Sequence, residues 1–163
     1  MLIRQVNPQD LGEIMDIEEV NFSQEEATSL AAMKERIEEI PDTFLVAEIA
    51  GRIVAYLVGT VSQERYLNDE LFEHVTRNPA RGGFIQIQSL SVAPKFAGQG
   101  IGTALLAALK DLALAQGRKG IGLTCHGELI SYYEMNGFSD EGPSDSKHGG
   151  NLWYNMVWES STQ

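Results

Sequence analysis

The chain has 163 residues, a hydrophobic share of 43% and a formal charge of −11, enough for one domain with a substantial core and too little for two of ordinary size. The acidic balance argues against nucleic acid and anionic membrane as partners, and no apolar run approaches the roughly 20 residues of a membrane helix. Cys125 is the sole cysteine, which excludes a disulfide framework and a cysteine-based zinc site. Residues 1–163 therefore read as a single domain. Met1 to Gln5 lacks the long apolar core of a signal peptide, so a reducing, cytoplasmic setting is the expectation.

Leu2 to Val6 alternates enough for a first strand. Asn7-Pro8-Gln9-Asp10 reads as a helix start, with Asn7 as N-cap and Pro8 at the first helical position. Leu11, Ile14, Met15 and Ile17 mark its apolar face, Glu18 and Glu19 end it, and Phe22 lies just beyond. Thr28 to Ile40 is predicted as a second helix with Leu30, Met33 and Ile37 inward. Two β-rich runs, Phe44–Ile49 and Arg52–Gly59, flank the tight turn Ala50-Gly51 and predict a hairpin. Gln63 to Pro79 is polar and reads as a loop with a helical turn or two. Gly82-Gly83 opens a long apolar strand, Phe84 to Val92. Beyond it a helix runs to about Gln116, capped by Gly117. Ile121–Cys125 is a strand, Glu128–Asn136 a helix capped by Gly137, Phe138–Gly142 a short strand, 143–150 a loop, and Leu152–Trp158 the last strand. The order β–α–α–β–β–β–α–β–α–β–β predicts a mixed α/β fold around a largely antiparallel, twisted sheet. The central hairpin breaks the βαβ alternation of a dinucleotide fold.

The most informative stretch is Leu90 to Leu106. Pro94 stops the strand, Gly98, Gly100 and Gly102 alternate through a loop, and helical spacing resumes with Leu105, Leu106 and Leu109. Strand, glycine loop and helix start together aim unpaired N–H groups and the positive end of a helix dipole at one spot, which suits a phosphate. Gly102-Thr103 has no lysine between, so this is not a P-loop. The spacing Gly-x-Gly-x-Gly past mid-chain is not that of a dinucleotide fold. The loop also lies in the near-neutral half of the chain. Residues 1–80 hold 16 acids against 6 bases, residues 81–163 only 7 against 6. The acidic half suits a cationic partner such as an amine, or else its glutamates, Glu35, Glu38 and Glu39 among them, form solvated helix faces.

Val92-Ala93-Pro94 followed by Gly98-Gln99-Gly100-Ile101-Gly102-Thr103-Ala104-Leu105-Leu106 resembles the acetyl-CoA signature of the GNAT N-acetyltransferase superfamily. Ala97 departs from that signature, which has Arg or Gln there. Gly137-Phe138 behind the helix Leu129–Asn136 resembles the second signature. Within the superfamily the chain looks most like the arylalkylamine (serotonin) N-acetyltransferase group, on Ile17-Glu18 with Phe22, Leu57-Val58-Gly59, Glu73-His74, Cys125, Tyr132-Tyr133 and Gly142-Pro143. The resemblance implies a GNAT fold of about seven strands and four helices, splayed at the central strands. It implies acetyl-CoA as co-substrate and no metal. The amides of Gly98, Gln99, Gly100, Ile101, Gly102 and Thr103 would hold the pyrophosphate. Leu90, Ser91 and Val92 would pair with the pantetheine arm as a strand pairs with an added neighbour. Homodimers occur in the family, so a homodimer is possible.

Acetyl transfer to an amine needs a proton removed, a carbonyl polarised, reactants held close and a thiolate reprotonated. The resemblance places the general acid at Tyr133; its neighbour Tyr132 is expected to point elsewhere. A backbone N–H near Leu90 is the family's device for the carbonyl. Where the arylalkylamine enzymes carry two histidines, this chain has Gln86 and Gln88, which orient water but do not take its proton. Glu18, Glu19 and His126 are the candidate bases, and an imidazole titrates near neutral pH. His74 and His148 read as surface residues. Phe22 with Glu18 or Glu19 would offer an aromatic wall and a negative charge to a cationic acceptor. Trp153 either closes that side or packs in the core, and Trp158 faces the other way. Cys125 reads as a small buried residue. The leading function is acetyl transfer from acetyl-CoA to a small aryl-alkyl or similar primary amine by direct attack. The alternatives are a protein N-terminal or lysine acetyltransferase and a non-catalytic acyl-CoA-binding module.

Overall fold

In the computed structural model, which describes residues 1–146 and 150–160, the hairpin is the foundation of the sheet. β2 (Phe44–Ile49) and β3 (Arg52–Ser62) owe their extended form to β-branched and aromatic alternation. They pair around Ala50-Gly51, whose φ angles of +52° and +78° give the turn the twist of its flanking strands. β1 (Leu2–Gln5) joins β2, and β4 (Phe84–Val92) joins β3, both antiparallel. β5 (Gly120–Cys125), β6 (Ser139–Pro143) and β7 (Tyr154–Glu159) complete a seven-stranded sheet in the order β1-β2-β3-β4-β5-β7-β6. Among the described strands only β4 and β5 run parallel, which requires a crossover helix between them.

Successive strand residues face opposite sides, and each side has its own cover. α1 (Leu11–Asn21) and α2 (Leu30–Glu39) lay Ile14, Ile17, Met33 and Ile37 on Phe44, Val46 and Val58. α3 (Ile101–Ala115) and α4 (Ile130–Met135) cover the other face, with Leu105, Leu106 and Leu109 on Leu45, Leu57, Ile85 and Ile121. Among the described residues no helix is long and apolar enough to cross a membrane.

Several local expectations shift. Asn7 caps a 3-10 turn, Pro8–Asp10, in a capping box with Asp10, and α1 follows from Leu11. α1 also continues past the two glutamates to Asn21. Leu30, expected inward, is 59% exposed, because Ser29 is the N-cap and Leu30 only the first helical residue. Trp153 precedes β7 instead of belonging to it. His148 and part of the loop before Gly150 lie outside the described residues.

β4 departs from regular pairing on both of its edges. Its pairing with β5 covers only Phe84–Gln86 against Gly120–Gly122. Beyond that point both strands continue without touching through hydrogen bonds, so the sheet opens. On the β3 side the register steps from Gly59↔Ile87 to Val58↔Ser89, leaving Gln88 as the extra residue of a bulge. The neighbouring Gly59 is obligatory: a Cβ there would lie 2.8 Å from the Gln86 carbonyl oxygen.

Candidate active site

The glycine loop joins β4 to α3. Gly98 and Gly100 hold φ of +77° and +81°, which only glycine adopts without strain. Gly100 is the N-cap of α3 and has no side chain to cap it. Ala104 donates to the Gly100 carbonyl, the first such bond of the helix, while Ala97 still bonds Pro94. Among the described residues the N–H groups of Gly98 to Thr103 have no hydrogen-bond partner. Six donors at a helix N-terminus fit an anionic diphosphate and need no long side chain at Ala97.

The opened sheet supplies the second part. Past Gln86, the β4 edge at Leu90 and Val92 faces no strand, which leaves the Leu90 backbone and the Val92 N–H open to an extended arm. Ser91 is paired with Tyr56 of β3. The Ser91 hydroxyl is 2.6 Å from the Asn21 amide nitrogen, which also donates to the Val92 carbonyl at 2.9 Å. Asn21 therefore ties the end of α1 to this strand, a role that nothing in the sequence marks.

Tyr133, on α4, is 9% exposed and packs edge-on against Phe138 and Tyr132. Burial first, then the neighbouring Tyr132 and Cys125, hold its phenol above the ordinary tyrosine range. It thus keeps its proton throughout neutral pH. Tyr132 does not point away from the site: its hydroxyl lies 2.6 Å from where a Gly102 Cβ would stand. It reaches the first turn of α3 and is no remote counterpart to Tyr133. Cys125 is 2% exposed, and burial pushes its thiol up to about 11. A thiol so protonated is a poor nucleophile.

The face of β4 that carries α1 and α2 is polar: Gln86, Gln88, Ser89 and Ser91 stand on it. Gln86 is fully buried and donates to the Glu64 and Arg65 carbonyls, each at 2.9 Å. Gln88 donates to the Leu71 carbonyl. The two glutamines therefore pin the long 63–83 connection over the sheet. α2 pins it as well, through Arg36 to the Phe72 carbonyl at 3.0 Å and Glu35 to the Val75 amide at 2.9 Å. Both glutamine amide oxygens are buried without a hydrogen-bond partner among the described residues.

Glu18, a candidate base by sequence, is committed elsewhere. It is 2% exposed, accepts from the Tyr56 hydroxyl through one oxygen and from the Thr28 amide at 2.8 Å through the other. Its place is structural, joining α1, β3 and the start of α2. Burial and the Glu18 charge together raise the Tyr56 phenol. Tyr56 also lies 3.4 Å from the Ser89 hydroxyl, which brings a second tyrosine that sequence reasoning missed to the β4 bulge. Its signal was its place on the inward face of β3, two residues from Val58. Glu19 is exposed on α1, and Phe22 is 37% exposed at that helix's C-cap. His74 is exposed and 3.6 Å from Glu35. His126 follows β5 and stacks on Trp153, ring centroids 4.1 Å apart, so Trp153 closes the end of the β5–β7 face instead of entering the core.

No curated protein matches the chain by sequence. Solved structures do match by fold. Ard1 from Thermoplasma volcanium superposes with a TM-score of 0.75 at 20% identity, covering 99% of this chain and 98% of that one. A ribosomal-protein-alanine N-acetyltransferase from Brucella melitensis gives 0.74 at 19%, covering 98% and 99%. Naa20 from Chaetomium thermophilum, solved with a bisubstrate analogue, gives 0.73 at 21%, covering 98% and 86%. The sequence pattern of the Acetyltransferase (GNAT) family matches residues 11–138, which span the glycine loop, the opened strands and Tyr133. The chain belongs to the GNAT family and is an acetyl-CoA-dependent acetyltransferase.

Proposed function

We propose that the protein transfers the acetyl group of acetyl-CoA to the primary amine of a small molecule by direct attack, with both substrates bound at once. The observation that carries this reading is the covered acceptor face. The 63–83 connection lies over β4, held by Gln86, Gln88, Glu35 and Arg36. Beside the connection stands a cavity of about 590 Å³, lined by 64–69 and by residues of 141–146, a size suited to a small ligand.

The residues present fit acetyl-CoA. The unpaired amides of Gly98–Thr103 would hold its diphosphate, and the Leu90–Val92 edge its pantetheine arm. When bound, acetyl-CoA supplies an activated thioester; the chain supplies the rest. Tyr133 keeps its proton at neutral pH and holds it for the departing sulfur. His126, half-buried beside Trp153, would receive the ammonium proton through water. Ser89 and Leu90 stay paired with Val58 and Leu57 of β3, and on the other edge β4 has no partner beyond Gln86, so the Leu90 N–H would be open to the carbonyl oxygen.

A panel of aryl-alkyl amines, polyamines and short peptides, assayed with acetyl-CoA for released thiol, tests the reading. Tyr133→Phe should lower kcat by at least about tenfold while acetyl-CoA binding survives. Near-normal turnover removes Tyr133 from the mechanism. A second reading, acetylation of a protein N-terminus, is supported by the names of the solved neighbours, Naa20 and the ribosomal-protein-alanine enzyme. Peptides outperforming every amine would establish it.

A further inference from the structure

The cavity on the β7 side has a composition that the transfer chemistry does not require. Its lining includes four carboxylates, Glu64, Asp69, Glu141 and Asp145, and one cation among the described residues, Arg65. Arg65 is already spent: it bonds Glu141 at 2.6 and 2.8 Å and Glu159 at 2.9 Å. Glu64 and Asp145 have no cationic partner among the described residues. Asn155, 6% exposed, lines the same cavity, and its amide oxygen has no hydrogen-bond donor among them. A buried acceptor left without a donor is costly, and one beside several carboxylates calls for a group that only donates. An ammonium is such a group: three donors and no acceptor.

The position of the cavity decides which nitrogen it takes. Asn155 pairs with Thr124 of β5, whereas the reaction centre lies in the opening between β5 and β4. The two are separated by one to two strand spacings, on the order of 5–10 Å. The attacking nitrogen must also be neutral, and a carboxylate-rich site would keep it protonated.

We propose that this cavity holds a second, non-reacting ammonium of the acceptor, so that the preferred substrate is a small diamine or polyamine. The inference rests on the acetyl-transfer reading and adds the acceptor's class. The test compares a linear alkylamine with the diamine of equal chain length. The diamine should be favoured at least about tenfold in kcat/KM, mostly through KM. Glu64→Gln/Asp145→Asn, two exposed positions where folding is not at risk, should shrink that ratio several-fold. Glu38→Gln/Glu39→Gln, equal in charge but on α2, should leave it unmoved. Equal kcat/KM for the two amines overturns the inference and leaves acetyl transfer standing, as does an equal loss of preference in both double variants. A peptide with a basic side chain outperforming every diamine also overturns it. No turnover of any amine, with acetyl-CoA still bound, overturns the proposed function and this inference with it.

Discussion

Gly122 shows how a single missing side chain makes room for the 63–83 connection over the sheet. It faces Gln86 across the last paired rung of β4 and β5, and an added Cβ would collide with the Gln86 amide oxygen and lie 3.1 Å from the Arg65 carbonyl oxygen. The glutamine can yield; the backbone of the connection cannot move without giving up its bonds to Gln86. Gly122→Ala should therefore cost only roughly 1–2 kcal/mol in urea unfolding. Its larger effect should be a raised KM for the amine with an unchanged KM for acetyl-CoA, since the glycine loop is untouched. An unchanged amine KM would mean that the connection does not shape the acceptor site. The two tyrosines of α4 carry the complementary lesson. Helical geometry separates neighbouring side chains, yet both rings stay within the site region, Tyr133 buried against Phe138 and Tyr132 reaching Gly102.

The 63–83 connection is held at its β7 end by Arg65, whose guanidinium joins Glu141 on β6 and Glu159 on β7. The hydrogen bonds from Arg65 hold the Glu141 carboxyl down to about 2, below its value of about 4.3 in an unfolded chain. A carboxylate with a depressed folded pKa stabilises the fold fully above the unfolded value. That contribution is lost as pH falls from there toward about 2. Between pH 7 and 5, Glu141→Gln should therefore lower the urea midpoint by a constant amount. Below about pH 4.3 the gap from the parent should narrow. A gap that stays constant to pH 2 would show that the clamp contributes nothing through its charge. This element also marks the limit of what the sequence revealed. The hairpin, the glycine loop and α3 were legible because turn chemistry and periodicity act within a few residues. The contacts of 63–83 were not, because Gln86, Gln88, Arg36 and Arg65 reach partners 17 to 94 positions away. The same holds for Glu18, whose carboxyl looked like a free base until Tyr56, 38 positions on, was brought to it. Asn21, 70 positions from Ser91, gave no local signal at all.

At the scale of the whole molecule, the uneven charge of the chain has a spatial meaning. The acids of residues 1–80 include Glu64 and Asp69 on the connection, and Glu141 and Asp145 from the second half join them at the cavity. On the proposed reading the acceptor approaches a negative field, while the anionic co-substrate would enter the same molecule, of formal charge −11, by way of uncharged backbone amides. Salt shortens the reach of both effects, the screening length falling from about 30 Å at 0.01 M to about 3 Å at 1 M. The two substrates should then respond with opposite signs. Raising salt from about 0.01 to 0.5 M should lower kcat/KM for a cationic amine by roughly threefold to tenfold, because attraction to the cavity is screened. Over the same range kcat/KM for acetyl-CoA, at saturating amine, should hold or rise, because repulsion of the nucleotide is screened too. Steady-state rates with each substrate varied in turn measure both slopes. A fall of equal size in both would trace the effect to the protein's stability or to general ion binding. A fall confined to the amine would locate the charge that matters on the acceptor side of the sheet.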